Sequence, residues 1–228
     1  MLPVKNTGPL IRLVLAISID GRLAPALGRA AWLGSSGDRR ALEEALTWAD
    51  GTLMGSGTLC AYGSTCLIHD ADLLARRTAE GRRPQPVCVV VGSRRTFQPH
   101  WPFFRQPLER WLLGTTNVDG FTNQLDLAKP WLLMLQQLKA LGLERLVLLG
   151  GARLTGSLLS EDVVDELQLT LTPRLLGGKA CWLPTDFTDF PVTLQSANAW
   201  QLWQVGELGN DELLLVYRRR RISKLVTN

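Results

Sequence analysis

Residues 11–19, Ile-Arg-Leu-Val-Leu-Ala-Ile-Ser-Ile, form a nearly continuous β-prone run closed by Asp20-Gly21, the pattern of a strand covered on both faces. Past a Gly- and Pro-bearing loop, Ser35 or Ser36 is placed to cap a helix whose apolar positions Leu42, Ala45, Leu46 and Ala49 recur at helical spacing and which stops near Asp50-Gly51. Thr52-Leu53-Met54 predicts a short strand running into a small-residue turn, Gly55-Ser56-Gly57-Thr58. A helix over 70–80 and a buried strand over 86–91 follow, the strand leaving through Gly92-Ser93-Arg94-Arg95. Residues 96–110 are Pro- and aromatic-rich and irregular. Beyond them the pattern predicts a strand over 110–115, a helix over 130–141 closed by Gly142, a strand over 145–149 meeting Gly150-Gly151, and a helix over 152–159. The end differs: 164–172, 194–206 and 212–218 are strand-like, with a hairpin turn between Gly206 and Asp211. Alternating strands and helices followed by a hairpin predict a layered α/β fold, its central sheet mostly parallel with an antiparallel C-terminal edge.

Composition changes this picture little. The 228 residues are 46% apolar and 20% charged, which is ordinary for a globular chain and sufficient for one large domain. We expect a flexible N-terminus over 1–9, the folded domain over 10–218 and a basic tail over 219–228. Charge refines the expectation. The formal charge is +4, but five of the 25 basic residues (Arg218, Arg219, Arg220, Arg221 and Lys224) lie in the last eleven positions, where there is no acid. The body is therefore close to neutral and carries no electrostatic argument for a nucleic-acid partner. The arginine run reads as a solvated terminus. No apolar run reaches the length of a membrane span, and no basic region precedes a sustained apolar stretch at the start, so no membrane association and a cytoplasmic location are expected. Cys60, Cys66, Cys88 and Cys181 show no C-x-x-C spacing, which fits a reducing compartment. His69 and His100 have no metal-type partner nearby in sequence, so no metal site is expected.

Candidate chemistry gathers at strand exits. Leu146-Val-Leu-Leu-Gly-Gly-Ala-Arg-Leu-Thr-Gly156 is a strand, paired glycines and a helix in immediate succession. Unpaired N–H groups at the helix start and the missing Cβ atoms suit a pyrophosphate, although the same residues also make a tight turn needing no ligand. Arg153 would sit in the first helical turn, where a cation is disfavoured unless an anion is close. The Gly55–Thr58 exit and Ser93-Arg94-Arg95 could face the same crevice, the latter suiting a 2′-phosphate and hence NADPH over NADH; each is equally compatible with an empty loop. Asp20 and Arg22 put a carboxylate and a cation at the mouth of the first strand, where Asp-Gly is also plain turn chemistry. There is no G-x-S-x-G elbow, P-loop or H-E-x-x-H.

Taken together, Leu15-Ala-Ile-Ser-Ile-Asp-Gly-Arg22, Gly28 with Trp32, Met54-Gly-Ser-Gly-Thr58, Leu149-Gly-Gly-Ala152, and Val164-Asp-Glu-Leu167 with Pro173-Arg-Leu-Leu-Gly177 resemble, in order and over about residues 10–218, the pyrimidine reductase of riboflavin biosynthesis. This is the reductase domain at the C-terminus of bifunctional deaminase–reductases. The zinc deaminase that accompanies it there has no counterpart in these 228 residues. The resemblance implies a three-layer dihydrofolate-reductase-like fold, a homodimer, and NADPH-dependent reduction of the ribosyl group of 5-amino-6-(5-phosphoribosylamino)uracil to ribityl. It further implies that Ala16 offers its backbone to the nicotinamide amide, that Trp32 and Thr58 flank the cofactor, that Ser93 meets the adenosine phosphate, and that Gly150, Gly151, Ala152, Arg153, Leu154 and Thr155 hold the pyrophosphate. Asp20, the candidate catalytic residue, and Arg22 are the polar groups retained near the substrate.

The substrate positions depart from the family. Tyr62 stands for its aspartate, His69 for an arginine, Leu149 for a glutamate, Leu46 for an arginine and Ala30 for a serine. Each lost charge-assisted hydrogen bond is worth roughly 1.5–3 kcal/mol. A less charged, pteridine-like or other heterocyclic substrate, or a non-catalytic nucleotide-binding homologue, therefore stands as the alternative.

Overall fold

The first core strand, β1 (Leu10–Ser18), has sheet neighbours on both sides, β6 (Arg145–Leu148) and β7 (Glu166–Thr172), each running parallel to it. The computed structural model describes residues 7–26, 33–93, 96–114, 118–126 and 130–221. Its remaining strands are β2 (Gly51–Gly55), β3 (Val87–Val91), β4 (Arg110–Gly114), β5 (Asn123–Asp126), β8 (Trp200–Gly209) and β9 (Glu212–Arg219). They form one nine-stranded sheet in the order β5-β4-β3-β2-β6-β1-β7-β9-β8, parallel through β7 and antiparallel in the β9-β8 hairpin. Among the described residues six α-helices connect or flank them: α1 (Ser36–Trp48), α2 (Ser56–Tyr62), α3 (Ala71–Ala79), α4 (Trp131–Ala140), α5 (Ala152–Ser160) and the short α6 (Val192–Gln195).

Alternation along the strands decides which helix covers which face. Ile11, Leu13, Leu15, Val89, Leu146 and Leu148 point to one side, where Trp131, Leu135 and Leu138 of α4 and Leu154 and Leu158 of α5 bury them. Val14 and Val147 point to the other, against Ala45 and Leu46 of α1 and Leu73 of α3. Farther along that second face, Phe97, Phe103 and Phe121 close over Cys88, Val90 and Leu112. The result is three layers, with β3 buried at every residue. Local chemistry fixes the helix starts: the Ser35 hydroxyl accepts the Gly37 N–H at 3.1 Å, and the Asp70 carboxylate accepts the Leu73 N–H at 2.9 Å.

Several sequence expectations are corrected. Gly55–Thr58 is not a free turn, because α2 begins at Ser56 directly off β2. The strand expected over 194–206 begins at Trp200; Val192–Gln195 after Pro191 coils into α6, an ambiguity that short apolar runs carry. The edge strand β5 gives no hydrophobic signal because it is four residues long and partly polar. The arginine run is part of β9 as far as Arg219, and Arg220 and Arg221 beyond it are exposed. Arg218 pairs with Glu166 at 2.8 Å, Arg219 with Asp162 at 2.7 Å and Arg221 with Asp165, so acids distant in sequence supply the charge the local sequence lacks. Among the described residues no helix is long and apolar enough to cross a membrane, and no group of His, Cys, Asp or Glu is placed to hold a metal ion.

Candidate active site

The chain builds β1, runs outward through β2, β3, β4 and β5, and then inserts β6 between β1 and β2. A crevice opens at such a reversal, outside the carboxyl ends of the strands. Here a cleft of about 790 Å³ lies at that end, walled by Ala16 on β1, Met54 and Gly55 on β2, Thr58 and Tyr62 on α2, Leu149 and Gly151 after β6, and Ala152 to Leu154 on α5.

Gly150 and Gly151 have φ of 86° and 92°, a region that an L-residue enters only under strain. A Cβ on Gly151 would sit 3.0 Å from Thr58 Oγ1 and 3.6 Å from Gly55 N; one on Gly150 would meet Leu15 Cδ2 at 2.8 Å. The two glycine-bearing exits therefore face each other across the cleft. Gly151 caps α5 with no side-chain acceptor over the helix start. Arg153, the cation in that first turn, is exposed and bonded to Asp186 through both Nη atoms, at 3.1 and 3.3 Å. The carboxylate relieves a placement that the helix dipole alone disfavours. This ledge has the bare backbone, the missing Cβ and the uncapped amides that a phosphate group requires.

Not every sequence-predicted residue joins the wall. Ala16, Thr58, Tyr62, Leu149, Gly151, Ala152, Arg153 and Leu154 do. Gly150 is buried behind the ledge, and Thr155 is fully buried with its Oγ1 unpartnered and its N–H returned to the Gly151 carbonyl at 2.9 Å. Ser93 is exposed at the tip of β3, off the cleft. His69 is also outside: its side chain is exposed, and its backbone N–H donates to the buried Glu43 carboxylate at 2.9 Å, which ties the segment before α3 to α1. Trp32, Gly28, Ala30, Arg94 and Arg95 lie outside the described residues.

Asp20 and Arg22 are corrected in role. The Asp20 carboxylate accepts from the Ser18 hydroxyl at 2.5 Å, the Gly177 N–H at 2.7 Å and the Leu176 N–H at 3.1 Å, with Arg22 Nε at 3.6 Å. These donors, the Ser18 hydroxyl first, hold its pKa down at about 2. Arg22 in turn reaches Cys181 Sγ. Both side chains clamp the 174–181 segment onto the end of β1 rather than lining the cleft, and a carboxylate so held is an acceptor, not a proton donor.

Sequence reasoning missed Asp38, which lines the cleft with Leu33, Leu42 and Cys66. Burial raises its pKa, the neighbouring Thr170 hydroxyl opposes the rise, and the charge of Glu212 adds to it. Burial also pushes the Cys66 thiol up to about 11 and raises the Tyr62 phenol. These wall groups are thus all biased towards their neutral forms. The overlooked signal is positional: Asp38 precedes Leu42 by four residues and Ala45 by seven, so it lies on the helix face that turns to the core, itself half-buried.

Three layers, a mostly parallel sheet with an antiparallel hairpin edge, and a cleft at the strand tips define the dihydrofolate-reductase-like class of α/β fold. Among solved structures, RibD from Acinetobacter baumannii superimposes with a TM-score of 0.77 at 24% identity, over 94% of this chain and 59% of that one. A pyrimidine reductase-like protein from Corynebacterium diphtheriae does so with 0.72 at 18% identity, over 97% and 96%. The RibD C-terminal domain family model matches residues 9–211, and the chain belongs to that family. It is 28% identical over 218 residues to the riboflavin biosynthesis protein RibD of Haemophilus influenzae, covering 89% of this chain and 57% of that protein. It is also 28% identical over 187 residues to the 2,5-diamino-6-ribosylamino-4(3H)-pyrimidinone 5′-phosphate reductase of Methanothermobacter thermautotrophicus, covering 75% and 81%. The chain therefore spans a little over half the length of the RibD protein it matches.

Proposed function

We propose that this chain is an NADPH-dependent reductase that converts the ribosyl group of 5-amino-6-(5-phosphoribosylamino)uracil to ribityl, working as a homodimer in the cytoplasm. The observation that carries the reading is the ledge at Gly151: positive-φ glycines, an uncapped helix start and Thr58 facing it across one cleft. Gly151 to Leu154 would hold the pyrophosphate, Ala16 and Thr58 would bound the nicotinamide, and Ser93 with the neighbouring arginines would favour the 2′-phosphate. When bound, the cofactor supplies a hydride; the protein's part is to orient the sugar carbon and exclude water. Asp20 contributes by fixing the 174–181 segment.

Family membership and the names of the relatives support the reaction class. One observation favours a second substrate. Among the described wall residues the only cation is Arg153, already paired with Asp186, while Leu149 and Leu42 present apolar surface and Tyr62 a ring where the family has charged groups or their neighbours. A pterin or an unphosphorylated pyrimidine suits such a wall better than a phosphate ester. Complementation of a strain lacking the pyrimidine reductase decides: growth without added riboflavin supports the first substrate. Failure despite expression of folded protein, with NADPH oxidised by a pterin, supports the second. For the homodimer, the edge strand β8 offers the support. It exposes Leu202, Trp203 and Val205 at 49%, 55% and 56%, an apolar edge that an isolated monomer would leave open to pairing.

A further inference from the structure

A hydride delivered to a glycosylamine carbon leaves the ring oxygen needing a proton, and the residues on which the family resemblance rests do not provide one here. Asp20 is held ionised outside the cleft, His69 lies off it, and Leu149 stands where the family has a glutamate. Among the described wall residues of the cleft, one carries a carboxyl.

We infer that Asp38 is the proton donor of the reductase, acting from the wall formed by the first turn of α1. This rests on the reductase reading and deepens it. Asp38 sits one helical turn before Leu42, and Leu42 packs in the same apolar cluster as Cys66 and Leu149. A carboxyl at Asp38 therefore borders the apolar wall that includes the family's glutamate position, approached from the helix instead of from the end of β6. Its place is built. The side chain lies back over Gly34, where a Cβ would fall 1.9 Å from Asp38 Oδ2, so only glycine at 34 leaves room for it. The Thr170 hydroxyl on β7 stands beside it and opposes the rise in its pKa. Glu212 on β9 faces it with like charge and is itself held by the Ser35 N–H at 3.0 Å and the Ser35 hydroxyl at 2.7 Å. Cys66, from the segment between α2 and α3, and the neighbouring Arg39 complete its titratable surroundings. Burial and the Glu212 charge favour the protonated carboxyl, the form a donor must start from.

The C1′–O4′ bond of the sugar breaks and its electron pair stays on O4′, which takes the proton of the Asp38 carboxyl. C1′ gains a hydride from the reduced nicotinamide, which is oxidised by two electrons. The Asp38 carboxylate then recovers its proton from solvent.

The test uses the whole chain, with Asp38→Asn, Asp38→Glu and a ¹³C NMR titration of the wild-type carboxyl. Removing a general acid costs about 100-fold or more in rate. We expect Asp38→Asn to lower kcat by at least that factor while NADPH quenches tryptophan fluorescence with a Kd within about twofold of wild type. We also expect Asp38→Glu to recover part of kcat with a displaced alkaline limb, and Asp38 to titrate above the ordinary carboxylate range. Turnover in Asp38→Asn within about threefold of wild type, or a wild-type Asp38 carboxyl titrating at its ordinary value, overturns the donor and leaves the reductase reading standing. NADPH binding without turnover of any pyrimidine or pterin overturns both.

Discussion

Gly151→Ala is the substitution that most directly interrogates the ledge. The added methyl group would lie 3.0 Å from Thr58 Oγ1, closer than most Cβ contacts, and would occupy the face of the cleft left open by the glycine. Two costs can be separated. Holding a non-glycine residue at φ of 92° costs folding stability about 1–3 kcal/mol. Keeping a phosphate off the amides at the start of α5 forfeits at least one charge-assisted hydrogen bond, about 1.5–3 kcal/mol, or roughly 10- to 150-fold in Kd. Gly81→Ala isolates the first cost, since Gly81 also has positive φ, 69°, but its Cβ would meet nothing within 4 Å and it lies off the cleft. Titration of NADPH by tryptophan fluorescence, alongside thermal unfolding of all three proteins, reads both. Both variants should melt earlier than wild type, and only Gly151→Ala should lose affinity. If folded Gly151→Ala binds NADPH within about twofold of wild type, the ledge does not seat a phosphate and the argument from backbone geometry is wrong.

Arg77 is 1% exposed and donates to the carbonyls of Leu46, Thr47, Ala49 and Arg83 at 2.6 to 3.0 Å. Arg82 also reaches Thr47 and Ala49, and the Ala49 N–H reaches the Leu46 carbonyl, so Arg77→Met strands mainly the Arg83 carbonyl and should cost about 1–3 kcal/mol in urea unfolding; an unchanged midpoint contradicts this. Because the folded pKa of Asp20, about 2, lies below its ordinary 3.8, its contribution to stability is present above pH 3.8 and is lost as pH falls towards 2. Asp20→Asn should therefore lower the melting temperature at pH 6, with the gap closing towards pH 2; a pH-independent gap refutes the assigned role. Leu202→Lys with Val205→Lys on β8 should convert the proposed dimer to monomer in sedimentation velocity, and an unchanged sedimentation coefficient places the interface elsewhere.

The strongest local signals were read correctly. A run such as Val87–Val91 has no polar face to mislead, and Ser35 and Asp70 mark helix starts with their own side chains. Weak or contradictory local signals were not. Val192–Gln195 is too short for its period to show, and β5 is ordered by pairing with β4 rather than by its own apolar content. Among the site residues, the adjacency of β6 and β2 brings Gly151 to Thr58, whereas Ser93, also at a strand tip, lies off the cleft. Residues carried by connecting segments also left their expected place. His69 is drawn to Glu43, and Asp20 to the amides of Leu176 and Gly177.

Periodicity, caps and glycines by themselves determined the succession of elements, the mostly parallel sheet and the ledge after β6, since each depends on interactions within a few residues or on backbone freedom at one. Only the tertiary structure decided which charges remain available for chemistry. Asp20, Arg218 and Arg219 find partners in distant segments, while Asp38, an ordinary first-turn acid in sequence, becomes a desolvated carboxyl in the cleft. The physical reason is that solvation and pairing are set by what packs against a charge, and for these residues that neighbour is far away along the chain.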